Sequence, residues 1–133
     1  MANITITNVD MGCVELEGAV CQDELVTFGG ADTYVAGTIL ARSSATDKLV
    51  IYVKGGSSNG NGIPKAVLTY DVVATGAGDI KARALVRGRV NANRLVIDAD
   101  GDDSNVDAVV LDLLRDYGIV ASTVAQLGAL DNQ

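Results

Sequence analysis

The sequence contains no histidine, one proline, one phenylalanine and two cysteines among its 133 residues. Without histidine, Ser-His-Asp and Cys-His catalysis are excluded, as is a metal site built on imidazole. Aromatic residues make up 4% of the chain, which leaves few side chains on which bases or sugars can stack. Hydrophobic residues make up 48%, so we expect one ordered domain with an aliphatic core. Because the usual catalytic side-chain combinations are missing, we expect no enzymatic activity.

The charges are segregated along the chain, whose net charge is −7. Residues 1–35 hold six acids and no base, residues 36–97 hold three acids and nine bases, and residues 98–133 hold eight acids and one base. A basic middle between acidic ends can be neutralised within one fold, between copies of the chain, or by a separate partner. The net negative charge argues against a nucleic-acid partner.

Two terminal features bear on the compartment. The N-terminus has no basic stretch, so it does not predict a signal peptide. The charge-free run at residues 117–130 is too short and too mixed to span a bilayer, so no membrane association is expected. Cys13 and Cys21 are then expected mainly as free thiols in a reducing compartment, with a disulfide as the less favoured alternative.

Hydrophobic alternation predicts a mainly β domain with a C-terminal helix. Short strands are predicted at residues 34–41, 48–54, 66–74, 81–90 and 94–98, a spacing typical of a small barrel or sandwich. The pattern then changes to a helical period over residues 104–117, with Ser104 as N-cap and Gly118 as the residue that ends the helix. The apolar face of this helix is predicted to contain Val106, Val109, Val110, Leu113, Leu114 and Tyr117.

A basic stripe on the strand at residues 81–89 is one candidate interaction site. Alternation places the basic side chains on one face of the strand, with Leu85 among them, and one more basic residue follows the next turn. The stripe consists of Lys81, Arg83, Arg87, Arg89 and Arg94. A solvated strand face and pairing with acids of a neighbouring copy are both open, and nucleic acid is the weakest alternative.

Two loops partly match ligand-binding motifs. Residues 98–107 carry oxygen side chains at alternate positions, as calcium loops do, but Asp103 stands where glycine is needed and Val109 where a bidentate glutamate is needed. Residues 55–62 have the glycine spacing of a P-loop, but Asn61 replaces the lysine. We therefore expect an acidic turn before the helix and a surface turn, with no metal or cofactor.

Collinear strand and turn motifs give the sequence a family resemblance. The motifs are GTILA at 37–41, DKLV at 47–50, GIPKAVL at 62–68, ALV at 84–86, RLVID at 94–98 and LLRDYG at 113–118. In these motifs the chain resembles the lambda-type head decoration (capsid-stabilising) proteins of tailed bacteriophages, made in the host cytoplasm. The resemblance implies a β-tulip-like barrel that acts as a cement protein. Homotrimers would sit on the outer surface of the virion, at three-fold positions of the expanded shell, and clamp the major capsid protein against DNA pressure.

The resemblance also implies an N-terminal arm at residues 1–29 that contacts the capsid, followed by a body at residues 30–133. Residues 3–9 alternate in the manner of a strand, which suits addition to a capsid sheet. The predicted capsid-binding residues are Ile4, Thr5, Ile6, Thr7 and Val9. We expect residues 1 to about 17 to be mobile in the free protein. Two other functions compete: a small calcium-dependent adhesion or carbohydrate-binding module, and an enzyme that uses Asp and Glu alone.

Overall fold

A computed structural model describes residues 14–122 of the chain, so the predicted capsid-binding residues Ile4 to Val9 lie outside it. Within the described range the protein has eight strands and one α-helix. In chain order they are β1 (Val20–Phe28), β2 (Asp32–Tyr34), β3 (Ile39–Arg42), β4 (Leu49–Ile51), β5 (Pro64–Leu68), β6 (Val72–Ala74), β7 (Gly78–Asn91), α1 (Ala108–Asp116) and β8 (Ile119–Ser122). This confirms a mainly β fold with a C-terminal helix.

Five of the strands form a closed barrel. The hydrogen-bonded order is β1-β4-β3-β5-β7, and β7 pairs with β1 to close the ring. β8 adds outside the ring, parallel to the last part of β7, while β2 and β6 form a separate two-stranded ribbon. Closure removes the unpaired edges that a small open sheet would expose.

Aliphatic side chains form two cores, one on each side of the barrel wall. The inner core fills the barrel and contains Val26, Phe28, Leu40, Leu49, Ala66, Leu68, Ala82 and Ala84, together with residues of the β2–β6 ribbon. The outer core packs between the barrel and α1, and it contains Ile39, Val67, Leu85, Val90, Leu95, Ile97, Val110, Leu114 and Ile119. Alternation along each strand sends neighbouring residues to opposite cores, as a two-sided wall requires.

A bulge lets the single strand β7 serve both the barrel and β8. The register shifts between Val20 opposite Arg87 and Cys21 opposite Leu85, which leaves Val86 as an extra residue. Gly88 follows with φ of +101°, and a Cβ there would lie 2.3 Å from the Gly18 carbonyl oxygen. Beyond this point Val90 faces the same outer core as Leu85, although strict alternation would place them on opposite sides.

The segment before residue 29 is part of the body as far as the structure describes it. β1 pairs with β7 along its whole length and closes the barrel. Val14 is 2% exposed, and the Leu16 amide donates to the Arg89 carbonyl at 3.2 Å. The expected body boundary at residue 30 is therefore too late, because Val14, Leu16 and β1 all pack against β7. A capsid-contacting arm stays a prediction for the residues before Val14.

Several predicted element bounds need correction. The segments at 34–41 and 66–74 are each two strands, and residues 94–98 make only isolated bridges. The helix begins at Ala108 with Asp107, not Ser104, as its N-cap, because the Val106 amide is already used in a turn to the Asp103 carbonyl. Val109, placed on the buried face by its spacing, is 63% exposed. No helix among residues 14–122 has the length and hydropathy to cross a membrane.

Candidate functional site

The outer surface of the β1–β7 pair, here called the β1/β7 face, carries two of the predicted basic residues, Lys81 and Arg83. Directly opposite residues on paired strands share one face. The pairs on this face are Leu25 with Lys81, Asp23 with Arg83, and Cys21 with Leu85, whereas the bulge turns the next pair, Val20 with Arg87, to the opposite side of the sheet. The face combines an exposed apolar side chain, Leu25 at 42% exposure, with charges of both signs.

An acidic residue from the preceding segment partly neutralises the centre of this face. Glu15 lies beside β7, where it bridges to Val90, and its Oε1 is 3.5 Å from Arg83 Nη2. Asp23 stands across from Arg83 in the β1 register. The sequence prediction found the bases but missed these two acids, because pairing between distant segments leaves no local pattern. Lys81, which stands opposite Leu25, is the basic end of the face.

Cys21 lies on the β1/β7 face opposite Leu85 and is a partly buried free thiol. Its Sγ donates to Glu15 Oε1 at 3.0 Å. Partial burial, followed by this hydrogen bond and the nearby Glu15 charge, raises the pKa of the thiol to about 11. The thiol therefore stays protonated at neutral pH, which makes it a poor nucleophile. Cys13 lies outside the described residues.

The other three residues of the predicted stripe lie beyond the bulge, and the first of them, Arg87, stands opposite Val20. Arg89 stands opposite Val120 of β8, and its Nε donates to Ser122 Oγ at 3.4 Å. Arg94 ends the short 3₁₀ turn at Ala92–Arg94. The structure thus divides the stripe into two parts, with Lys81 and Arg83 on the β1/β7 face and the remaining three residues beyond the bulge.

The acidic loop at residues 98–107 uses its side chains to shape itself. Asp100 Oδ2 accepts from Asn105 Nδ2 at 3.0 Å, and Asp102 Oδ1 accepts from the Ser104 amide at 2.9 Å. Asp107 caps α1 through the Val110 amide at 3.1 Å and pairs with Lys54 Nζ at 2.6 Å. Lys54 and the cap lower the pKa of Asp107. These contacts make the loop an acidic turn that leads into α1.

The glycine-rich loop at residues 55–62 is a surface turn held by its own backbone. The Val53 amide donates to the Asn61 carbonyl at 2.9 Å, and the Gly56 amide donates back to the Val53 carbonyl at 2.9 Å. The Asn61 side chain accepts from the Ser58 amide at 3.1 Å. Asn61 is thus a structural residue of the turn, in the place where a P-loop has its lysine.

Both competing functions, a calcium-dependent module and an enzyme that uses Asp and Glu alone, require carboxylates that lie close together. No group of three or more metal-ligating side chains forms among residues 14–122. A groove of about 170 Å³ lies between α1 and β8, here called the α1/β8 groove, and Asp112 is the one carboxylate in its lining. The pair of close carboxylates that an acid–base enzyme requires is not part of this groove.

Comparison with known proteins identifies the family. No curated protein matches the chain. One family sequence model, described as "Bacteriophage lambda head decoration protein D", matches residues 5–119. The match includes all five barrel strands, α1 and the start of β8, and it reaches back into the predicted arm. The chain therefore belongs to the bacteriophage lambda head decoration protein D family, a family of structural proteins of the phage capsid.

Proposed function

We propose that this protein is a cement protein that binds as a homotrimer at three-fold positions on the outer surface of the expanded capsid. There it holds neighbouring major capsid subunits together against the internal pressure of the DNA. The family match over residues 5–119 carries this proposal, because it includes the arm segment as well as the whole barrel. The protein acts through contact surfaces alone, without a cofactor.

The trimer contact is proposed to use the β1/β7 face. A three-fold interface joins two different patches, so the face of one copy meets another surface of the next copy. Leu25 supplies apolar contact, and Lys81 selects an acidic surface. The exposed loop at residues 98–107 provides such a surface. Charges of this kind set specificity and register, while the apolar contact supplies most of the binding energy.

Light scattering of Leu25→Asp tests the interface, with Val73→Asp as the matched control. Val73 is likewise an exposed aliphatic residue, at 68%, but it lies on the separate β2–β6 ribbon. We expect the wild type and Val73→Asp to have the mass of a trimer at micromolar concentration. Leu25→Asp should weaken association by about tenfold or more, since it places a carboxylate in the contact. A monomeric wild type would contradict the trimer, and equal behaviour of both variants would contradict this interface.

The arm residues Ile4, Thr5, Ile6, Thr7 and Val9 are proposed to bind the capsid by adding a strand to one of its sheets. The chain enters the body at Val14, whose carbonyl accepts from the Asn91 amide at 2.8 Å. The arm is thereby anchored at the end of β7. Ordering it costs roughly 1–2 kcal/mol per residue in backbone entropy, so one arm binds weakly. Three arms on one trimer bind tightly because the second and third attach at high effective concentration.

Binding to expanded shells tests the arm. The double variant Ile4→Ser/Ile6→Ser should lose about tenfold or more in shell affinity, because the apolar contacts act on every arm of the trimer. The matched control Thr5→Ser/Thr7→Ser changes the alternate positions and should bind like the wild type. Both variants should retain the trimer mass and the melting temperature. Wild-type affinity in the Ile4→Ser/Ile6→Ser protein would contradict the proposal.

A further inference from the structure

The glycine-rich loop at residues 55–62 contains the same dipeptide twice, as Asn59-Gly60 and as Asn61-Gly62. Asparagine is one of the thermolabile residues. The main-chain nitrogen of the residue that follows can attack its side-chain carbon Cγ, and a glycine in that place leaves the approach open because it has no Cβ. The two asparagines have the same following residue, so a difference in their reactivity must come from the fold.

Asn59 has a side chain that is free to react. It is exposed, and in the part of the chain that the structure describes its side-chain amide makes no hydrogen bond. The Asn61 amide donates to the Ser58 carbonyl at 3.1 Å across a tight turn. The two central residues of this turn are left-handed, with φ of +51° at Asn59 and +82° at Gly60. A left-handed backbone is unfavourable for a residue with a Cβ, so rotation of Asn59 out of this conformation relieves strain.

Asn61 is held through both its side chain and its main chain. Its Oδ1 accepts from the Ser58 amide at 3.1 Å, and its carbonyl accepts from the Val53 amide at 2.9 Å. The main chain beside it is closely packed, because a Cβ built on Gly62 would lie 2.1 Å from the Gly56 carbonyl oxygen. The Cγ of Asn61 therefore cannot turn toward the Gly62 nitrogen unless these contacts break.

We propose that Asn59 is a site of spontaneous deamidation and that the fold protects Asn61. The Gly60 nitrogen attacks Asn59 Cγ and forms a new N–C bond, while the side-chain nitrogen takes up the Gly60 amide proton and leaves as ammonia. Water then opens the resulting succinimide at either carbonyl, which gives aspartate or isoaspartate in place of Asn59. Both products add a negative charge to the loop.

The isoaspartate product also changes the main chain, which it lengthens by one carbon. The Asn59 carbonyl accepts from the Ser44 amide at 2.9 Å, so the loop contacts the segment that follows β3 at the modified residue. Isoaspartate turns this carbonyl into a free carboxylate and thereby alters the contact, whereas aspartate leaves it in place.

Peptide mapping by mass spectrometry, after incubation of the full-length protein at mildly alkaline pH, tests the proposal. In the folded protein we expect deamidation at Asn59 to be about tenfold or more faster than at Asn61, because Asn61 reacts only after local opening of the loop. The same chain unfolded in guanidinium chloride is the matched control. There the two sites should react at similar rates, since neither side chain is held.

The variant Asn59→Gln gives an independent readout by ion-exchange chromatography. Its longer side chain forms the cyclic intermediate far less readily, so the acidic species that accumulates in the wild type should be lost. Equal rates at Asn59 and Asn61 in the folded protein, or deamidation confined to the unfolded chain, would overturn the proposal. An acidic species that still accumulates in Asn59→Gln would place the reaction elsewhere and also overturn it.

Discussion

Gly37 shows how one residue fixes the approach of two distant segments. It has φ of +97°, and a Cβ at this position would lie 1.7 Å from the Arg94 carbonyl oxygen. Its amide donates to the Leu68 carbonyl at 2.7 Å, and its carbonyl accepts from the Val96 amide at 2.9 Å. These hydrogen bonds hold the residues just before β3 against the segment that follows β7. Neither of these two segments can therefore move away from a methyl group added at Gly37.

We expect Gly37→Ala to lower the free energy of unfolding by about 2–4 kcal/mol, from the strained backbone and the overlap together. Urea denaturation measures the effect. Gly76→Ala is the control, since Gly76 has no atom within 4 Å of a built Cβ, and it should stay within about 0.5 kcal/mol of the wild type. Similar losses in both variants would show that the close approach at Gly37 is not the cause.

Elements differed in how far the sequence could predict them. β7 and α1 were predicted because their periodicity extends over nine residues or more. β8 was missed because its four residues lie inside a longer charge-free run that has no strand period of its own. β1 was missed because Gln22 and Glu24 interrupt the apolar series that ends in Val26 and Phe28. The reason is structural: Glu24 pairs with Arg42 at 3.0 Å, a contact between distant segments.

The start of α1 depends on Asp107, which the sequence prediction placed inside the helix. Asp107→Ala should lower the melting temperature by a few degrees, because the Val110 amide loses its cap and Lys54 loses its partner. Asp103→Ala is the control, since Asp103 is an exposed acid of the same loop that neither caps α1 nor pairs with Lys54. Calorimetry on both variants measures the difference, and equal melting temperatures would contradict the role of the cap.

The Asp107 contribution should also depend on pH. The contacts with Lys54 and the Val110 amide lower the pKa of Asp107 in the folded state. The stabilisation is therefore present above the unfolded pKa, near pH 4, and is lost as the pH falls through the lower folded value. The melting difference between the wild type and Asp107→Ala should shrink below about pH 4. If the melting-temperature difference between the wild type and Asp107→Ala instead widens on acidification, the predicted pH dependence is wrong.

At the scale of the whole molecule, closure of the barrel decides where the folding unit begins. β1 joins β7 on one side and β4 on the other, so it is the strand that completes the ring. Nothing local in the sequence marks this role, because both partners lie more than 20 residues further along the chain. The capsid-binding residues and the trimer surface could be proposed from the family resemblance. The residues that they contact could not, because those residues belong to the capsid protein or to another copy of the chain.

Two N-terminal truncations distinguish an arm from a barrel strand. Deletion of residues 1–10 should leave the melting temperature within a few degrees of the wild type, because Val14, Glu15 and β1 remain. Deletion of residues 1–29 removes β1, exposes the inner core beside Ala82 and Ala84, and leaves the facing edges of β7 and β4 unpaired. We expect this second protein to lose cooperative unfolding and to bind a hydrophobic dye, as compact states with exposed cores do. Cooperative melting after the longer deletion would show that the barrel does not need β1 and that the body begins near residue 30.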